Sequence, residues 1–204
     1  MTSKNPLWPK LHLYAQKISE QAGSDVTIKL IEVPFLRIES LVAKGELDGD
    51  FGREEESYAS SKDSIVRVEE KIADLEFVLV SYSNGYQNGR QARNSRVAAQ
   101  IGSHTHVRIC KEWAMNCTYT NQSANRMEML RTNRVDSILV ALMEALEIAK
   151  TETKREVYLS DSLHKAPLYI FMAKKHEGLA HRLAKAIRKV KSDGTFSRIF
   201  GQEP

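Results

Sequence analysis

Arg53 stands two positions after Phe51, where the short apolar segment Leu47 to Phe51 gives way to a polar stretch. A guanidinium just beyond a strand end can hold a carboxylate through two parallel hydrogen bonds while an aromatic face covers the ligand's body. A surface arginine paired with Glu54, Glu55 or Glu56 would look the same in sequence. Arg37 follows Pro34 in a comparable setting, with a solvent-facing helix position as its plain alternative. Gly102-Ser103-His104-Thr105 falls between a strand and a helix. There, backbone N–H groups, hydroxyls and the helix dipole suit an anionic oxygen, although capping by Ser103 or Thr105 employs the same residues. Asn121 and Gln122 follow another strand end and offer either amide donors or turn chemistry. His104, His106 and Cys110 raise a metal only to lose it, because paired-cysteine spacing is missing; no metal is expected. Neither a G-x-S-x-G elbow nor a G-x-x-x-x-G-K-[ST] phosphate loop occurs, so no catalytic residue, enzyme activity or cofactor is expected.

The elements that must position these residues are legible from periodicity. Leu7, Leu11, Tyr14 and Ile18 predict a helix ended by Gly23, and Ile38, Leu41 and Val42 a second ended by Gly45. Strands are predicted at 26–30, 47–51, 65–68, 75–82, 97–101, 117–120, 134–139, 156–159 and 168–172. Residues 52–64 read as a surface connection and 83–95, with Asn84-Gly85 and Asn88-Gly89, as a loop between two packed regions. Further helices are expected at 107–114, at 124–132 capped by Ser123, around Leu139, Leu142, Met143 and Leu146, and along Leu179, Leu183, Ile187 and Val190 before Asp193-Gly194. Strands separated by helices imply an α/β fold with mixed, mostly parallel sheets and flanking helices. In such sheets the ligand lies beyond the carboxyl ends of the strands, here after Val33, Phe51, Ile101 and Thr120.

Composition narrows the function class. At 204 residues, with 42% hydrophobic and 27% charged residues, the chain can bury a core and is neither disordered nor fibrous. The best apolar run, Ile138 to Ala149, already holds Glu144 and Glu147, so no membrane-spanning helix is expected. Thirty Lys plus Arg against 26 Asp plus Glu leave +4, too small an excess to demand nucleic acid. The basic residues His181, Arg182, Lys185, Arg188, Lys189 and Lys191 lack the interleaved aromatics that stack bases and read as a solvated helix face. Cys110 and Cys117 are too few for a disulfide scaffold but could form one bridge in an oxidising compartment.

Three stretches taken together resemble a known family. Val33-Pro34-Phe35-Leu36-Arg37, continuing through Gly45-Glu46-Leu47-Asp48-Gly49 to Arg53, is similar to the "P, Arg, then G-x-x-D-G" segment of bacterial extracellular solute-binding proteins of the amino-acid type. Leu130-Arg131-Thr132-Asn133-Arg134-Val135-Asp136 resembles the family's "G-R-V-D" segment, with Asn133 where glycine is usual; asparagine tolerates the left-handed conformation such a position needs. Leu168-Tyr169-Ile170 through Ser192-Asp193-Gly194 to Ile199 looks like its closing strand and helix.

The resemblance implies a two-lobed periplasmic-binding fold of the second type, one lobe being residues 1–80 plus 170–204 and the other 83–165. It implies a periplasmic receptor of an ATP-driven importer, trapping a small, carboxylate-bearing, amino-acid-like solute between its lobes, with a membrane permease as partner and a monomeric state. It implies a carboxylate-binding arginine in the Arg53 loop and a ligand-gripping turn at Ser103, His104 and Thr105; with the residue readings this gives a site of Arg37, Phe51, Arg53, Ser103, His104, Thr105, Asn121 and Tyr82, which at the first crossing between lobes stacks on the ligand or packs at the hinge. The family's signal peptide and first apolar strand have no counterpart before Leu7 and are expected to be missing from this chain. A sensory or degenerate ligand-binding domain is the alternative within the fold, and a dehydratase-like enzyme using His104 the less favoured one.

Overall fold

The computed structural model describes residues 7–58 and 61–201. In chain order its elements are α1 (Trp8–Ala22), α2 (Phe35–Ala43), β1 (Gly49–Arg53), β2 (Ile65–Arg67), β3 (Ala73–Ser81), β4 (Arg96–Gln100), α3 (His104–Glu112) and β5 (Asn116–Thr120). They continue as α4 (Ser123–Arg131), β6 (Ser137–Ala141), α5 (Leu142–Thr151), β7 (Tyr158–Leu159), β8 (His164–Ala173), α6 (Glu177–Ser192) and α7 (Thr195–Phe200). The chain divides into two compact units. Residues 8–74 with 166 onward make one, and 75–165 the body of the other.

In the first unit, β1 and β2 both run antiparallel to β8. One core is built by α1, α6 and α7. Buried Tyr14 meets Phe196 and Phe200 edge-on and donates its hydroxyl to the Ile72 carbonyl at 2.8 Å. Leu183, Ile187 and Val190 on α6 are buried, as their spacing predicts. On the basic face opposite, Arg182 pairs with Asp25, and Arg188 and Lys191 pair with Glu70, while His181, Lys185 and Lys189 are exposed. A second core lies under α2, where Val42 packs with Tyr58, Ile65, Phe171 and Ala173.

Two expectations for this unit change. Residues 26–30 alternate as a strand would but join no ladder among the described residues. Ser19 on α1 serves the segment instead, its hydroxyl accepting from the Ile28 N–H at 2.8 Å and donating to the Val26 carbonyl at 3.2 Å. Nor is 52–64 only a surface connection: Gly52 and Arg53 complete β1, and Arg53, Glu54 and Tyr58 are buried.

The second unit holds a mixed sheet. β4 is parallel to both β5 and β6, whereas β6 and β7 are antiparallel to β3. Antiparallel pairing is thus more extensive than the helix-separated strands alone suggest. Phe77, Leu79, Val97, Ala99 and Leu139 point to one face with Ile109 and Cys110 of α3, and Val78, Val80, Ala98, Ile138 and Val140 to the other with Leu130, Ala145 and Ile148. Leu139 therefore lies in β6 and not in the helix expected there. Its apolar run is long enough to read either way, and periodicity alone cannot place the break at Leu142. The cap of α4 is Gln122, so Ser123 opens the helix. Asn133 is left-handed at φ 55°, as its place in the resemblance requires.

Cys110 and Cys117 form a disulfide across seven residues, joining the end of α3 to β5. Closing so short a loop contributes about 2–3 kcal/mol through the unfolded state.

Candidate functional site

Arg53 owes its placement to a bulge. In a regular strand Asp50 and Arg53, three apart, would point to opposite faces. Instead Phe51 lies opposite Ile170 and Arg53 opposite Tyr169, so Gly52 is the extra residue that turns the strand. Arg53 then shares a face with Asp50, which lies opposite Phe171, while Phe51 is sent to the other face. The consequence is a buried ion pair: Arg53 Nε donates to Asp50 Oδ2 at 2.5 Å, and the Tyr58 hydroxyl donates to the same oxygen at 2.8 Å. The guanidinium carbon sits 3.3 Å from the centre of the Phe35 ring, a stacked cation–π contact made by α2. Arg53 is 8% exposed. Among the described residues, nothing accepts a hydrogen bond from its two terminal nitrogens. Asp50 and Phe35 fix the plane of the fork and leave those donors for an acceptor from outside.

Gly52 has φ +105°, a conformation L side chains rarely adopt, and a Cβ there would meet Ile72 Cδ1 at 3.4 Å. Gly52→Ala is expected to lower stability by about 1–3 kcal/mol, read as a reduced urea midpoint at unchanged slope.

The other expected residues of this unit fall apart from this group. Phe51 meets Tyr14 edge-on at 6.1 Å and does not cover the fork of Arg53; that contact comes from Phe35. Arg37 is exposed on α2.

In the second unit β4 ends at Gln100 and the chain turns through Gly102, at φ 80°, into α3. The helix starts three residues earlier than its apolar spacing suggests, because Ser103 caps it: the Ser103 hydroxyl accepts from the His106 N–H at 3.2 Å. Ser103 and Thr105 are buried and His104 is exposed in the first turn. Asn121 is exposed, and its carbonyl accepts from Gln100 Nε2 at 3.3 Å. Tyr82 is held inside its own unit, donating to Glu152 at 3.0 Å beneath the Arg155 guanidinium. The disulfide takes Cys110 out of any metal set with His104 and His106, and no cluster of metal-binding side chains occurs among the described residues.

His106 is buried against the edge of Phe77, and its Nδ1 accepts from the Gln100 N–H at 2.8 Å. That bond places the ring proton on Nε2. Burial, and then the nearby charge of Arg126, push the imidazole down to about 3. Between that value and the ordinary histidine range the unfolded chain binds a proton that the folded one refuses, so stability falls as pH drops through about 6.5 toward 3. Urea unfolding across that range should show a decline that is smaller in His106→Asn.

Several side chains that the structure groups around the candidate residues gave no local signal in the sequence. Asp50 and Phe35 matter only through the bulge, although the pattern Asp50-x-Gly52-Arg53 contains it. Arg126 and Glu144 lie on different helices, yet their side chains pair at 3.2 Å, both almost fully buried.

No protein-family model and no curated protein matches the chain. Solved structures do. The GluR0 ligand-binding core in complex with L-glutamate aligns at a TM-score of 0.79 and 12% identity, over 94% of this chain and 87% of that one. An ancestral arginine-binding protein bound to arginine aligns at 0.77 and 17%, over 94% and 86%. The ancestral amino-acid-binding protein AncCDT-1, a precursor of cyclohexadienyl dehydratase, aligns at 0.76 and 15%, over 94% and 83%. The architecture is therefore that of the type II periplasmic-binding proteins, an α/β fold shared with substrate-binding proteins of amino-acid importers.

Proposed function

We propose that this chain is the solute receptor of an ATP-driven importer and binds a small, carboxylate-bearing, amino-acid-like solute. The observation that carries the reading is Arg53. A buried guanidinium braced by Asp50 and stacked on Phe35, with its terminal nitrogens unclaimed by any described residue, suits bidentate capture of a carboxylate. Considered by itself, the 75–165 unit carries anion-binding donors in the 102–105 turn at the start of α3 and amide donors at Asn121. Binding, and not chemistry, is the work done, and a membrane permease is the partner that reads the liganded, monomeric receptor. The Cys110–Cys117 bridge supports an oxidising compartment, so the periplasm or the outer cell surface is its place. The likeness to AncCDT-1 admits an enzyme on these lobes, with His104 as the group to examine.

The test is thermal unfolding in the presence of each of the twenty L-amino acids. A ligand at a hundred times its Kd stabilises the native state by about 2.7 kcal/mol, which raises the midpoint of a chain this size by about 5–10 °C. At least one amino acid should do so and be recovered unchanged. A flat response to all twenty would overturn the amino-acid assignment, and recovery of a converted product would replace the receptor by an enzyme.

A further inference from the structure

One side chain reaches both loops assigned to the ligand in the 75–165 unit. Gln100 Nε2 donates to the Asn121 carbonyl at 3.3 Å and, more weakly, to that of Ile101 at 3.5 Å. Its backbone N–H donates to His106 Nδ1. Gln100 is held in turn from behind, its Oε1 accepting from Arg126 Nη1 at 2.5 Å. Arg126 on α4 is only 4% exposed, and its Nη2 donates to both carboxylate oxygens of Glu144 on α5 at 3.2 and 3.4 Å. The path from Glu144 through Arg126 and Gln100 therefore ends on Ile101, which opens the turn bearing Ser103, His104 and Thr105, and on Asn121.

This device is a poor way to add stability. A buried ion pair recovers little beyond its desolvation, and apolar residues of the same volume often do as well or better. Here the pair also leaves Arg126 Nε buried with no hydrogen-bond partner among the described residues, a further penalty. What the pair does accomplish is geometric: it fixes two loops from a single buried point. We infer that Arg126, held by Glu144, is a positioning residue that presets the 101–105 turn and Asn121 for the ligand. It acts through Gln100 and does not touch the ligand. The inference rests on the receptor reading for the word ligand, but its structural half stands without it.

Native-state amide exchange on the full, ligand-free chain tests it in Arg126→Met/Glu144→Leu and in Arg126→Lys. The double variant removes both charges together, while lysine keeps a charge beside Glu144 but lacks the fork that reaches Gln100 as well. The amides of Gln100, Ile101 and His106 should exchange at least tenfold faster in both variants, with Leu139 and Val140 on β6 keeping wild-type rates and the unfolding midpoint of the double variant unchanged or higher. Unaltered rates at the amides of Gln100, Ile101 and His106, or a rise shared equally with β6, would overturn the assignment; should the double variant not fold, Arg126→Lys decides alone. Any amino acid that shifts the wild-type midpoint should bind the double variant at least tenfold more weakly, and equal affinity would count against positioning. If no amino acid shifts the wild type, the receptor reading fails while the exchange rates still decide whether the pair fixes the loops.

Discussion

Glu144→Leu is expected to lower the stability of the protein by about 3–5 kcal/mol, because it leaves Arg126 charged, buried and without its counter-ion. The two side chains are 5% and 9% exposed, so water cannot take the place of the lost carboxylate. In a chain of this length the loss corresponds to a midpoint lower by on the order of 10 °C. Arg126→Met alone should also lower stability, because it removes the guanidinium that pairs with the buried Glu144 carboxylate. Replacing both partners removes both desolvation penalties, and the double variant should match or exceed the stability of the wild type. That recovery separates a charge effect from a cavity effect, since a cavity would deepen in the double variant. Urea melts of the three variants supply the measurement, and additive losses would refute the explanation.

Arg53→Ala carries the second large effect. The ligand-induced rise in midpoint should vanish, a loss of at least a hundredfold in affinity, since a carboxylate would keep its desolvation penalty and forfeit two charge-assisted hydrogen bonds. Asp50→Asn distinguishes contact from orientation. It keeps the fork but weakens the bond that fixes its plane, so an intermediate loss is expected. A full ligand response in Arg53→Ala would remove Arg53 as the anchor, whatever its stacking on Phe35. The variant also strands Asp50, whose oxygen receives both Arg53 Nε and the Tyr58 hydroxyl. Its unliganded midpoint should fall as well, and ligand effects must be read against that lower baseline.

Around Gly102 the local sequence signals and the structure coincide. A strand, a glycine turn and a serine at a helix start were all legible there, and the structure puts Ser103 at the cap with its hydroxyl on the His106 N–H. Such signals are local because capping and helical periodicity join residues three or four apart. The likeness to the amino-acid-type binding proteins was legible for the same reason, as motifs spaced along one chain. The strand expected at 26–30 shows the limit. Alternation describes which side chains turn inward, but whether a ladder forms depends on what lies alongside, and here a helix serine takes the backbone groups.

The sequence by itself determined most of the helical segments and where glycine, asparagine and serine can end or cap them, because those preferences act between near neighbours along the chain. Only the tertiary structure decided that Arg53 faces Asp50 and Phe35 while Phe51 turns away, since that choice is made by the register of β1 against a strand more than a hundred residues later. It likewise decided that Arg126 meets Glu144 across two helices. A side chain's face is a property of pairing and packing, and neither is written in the spacing of one short segment.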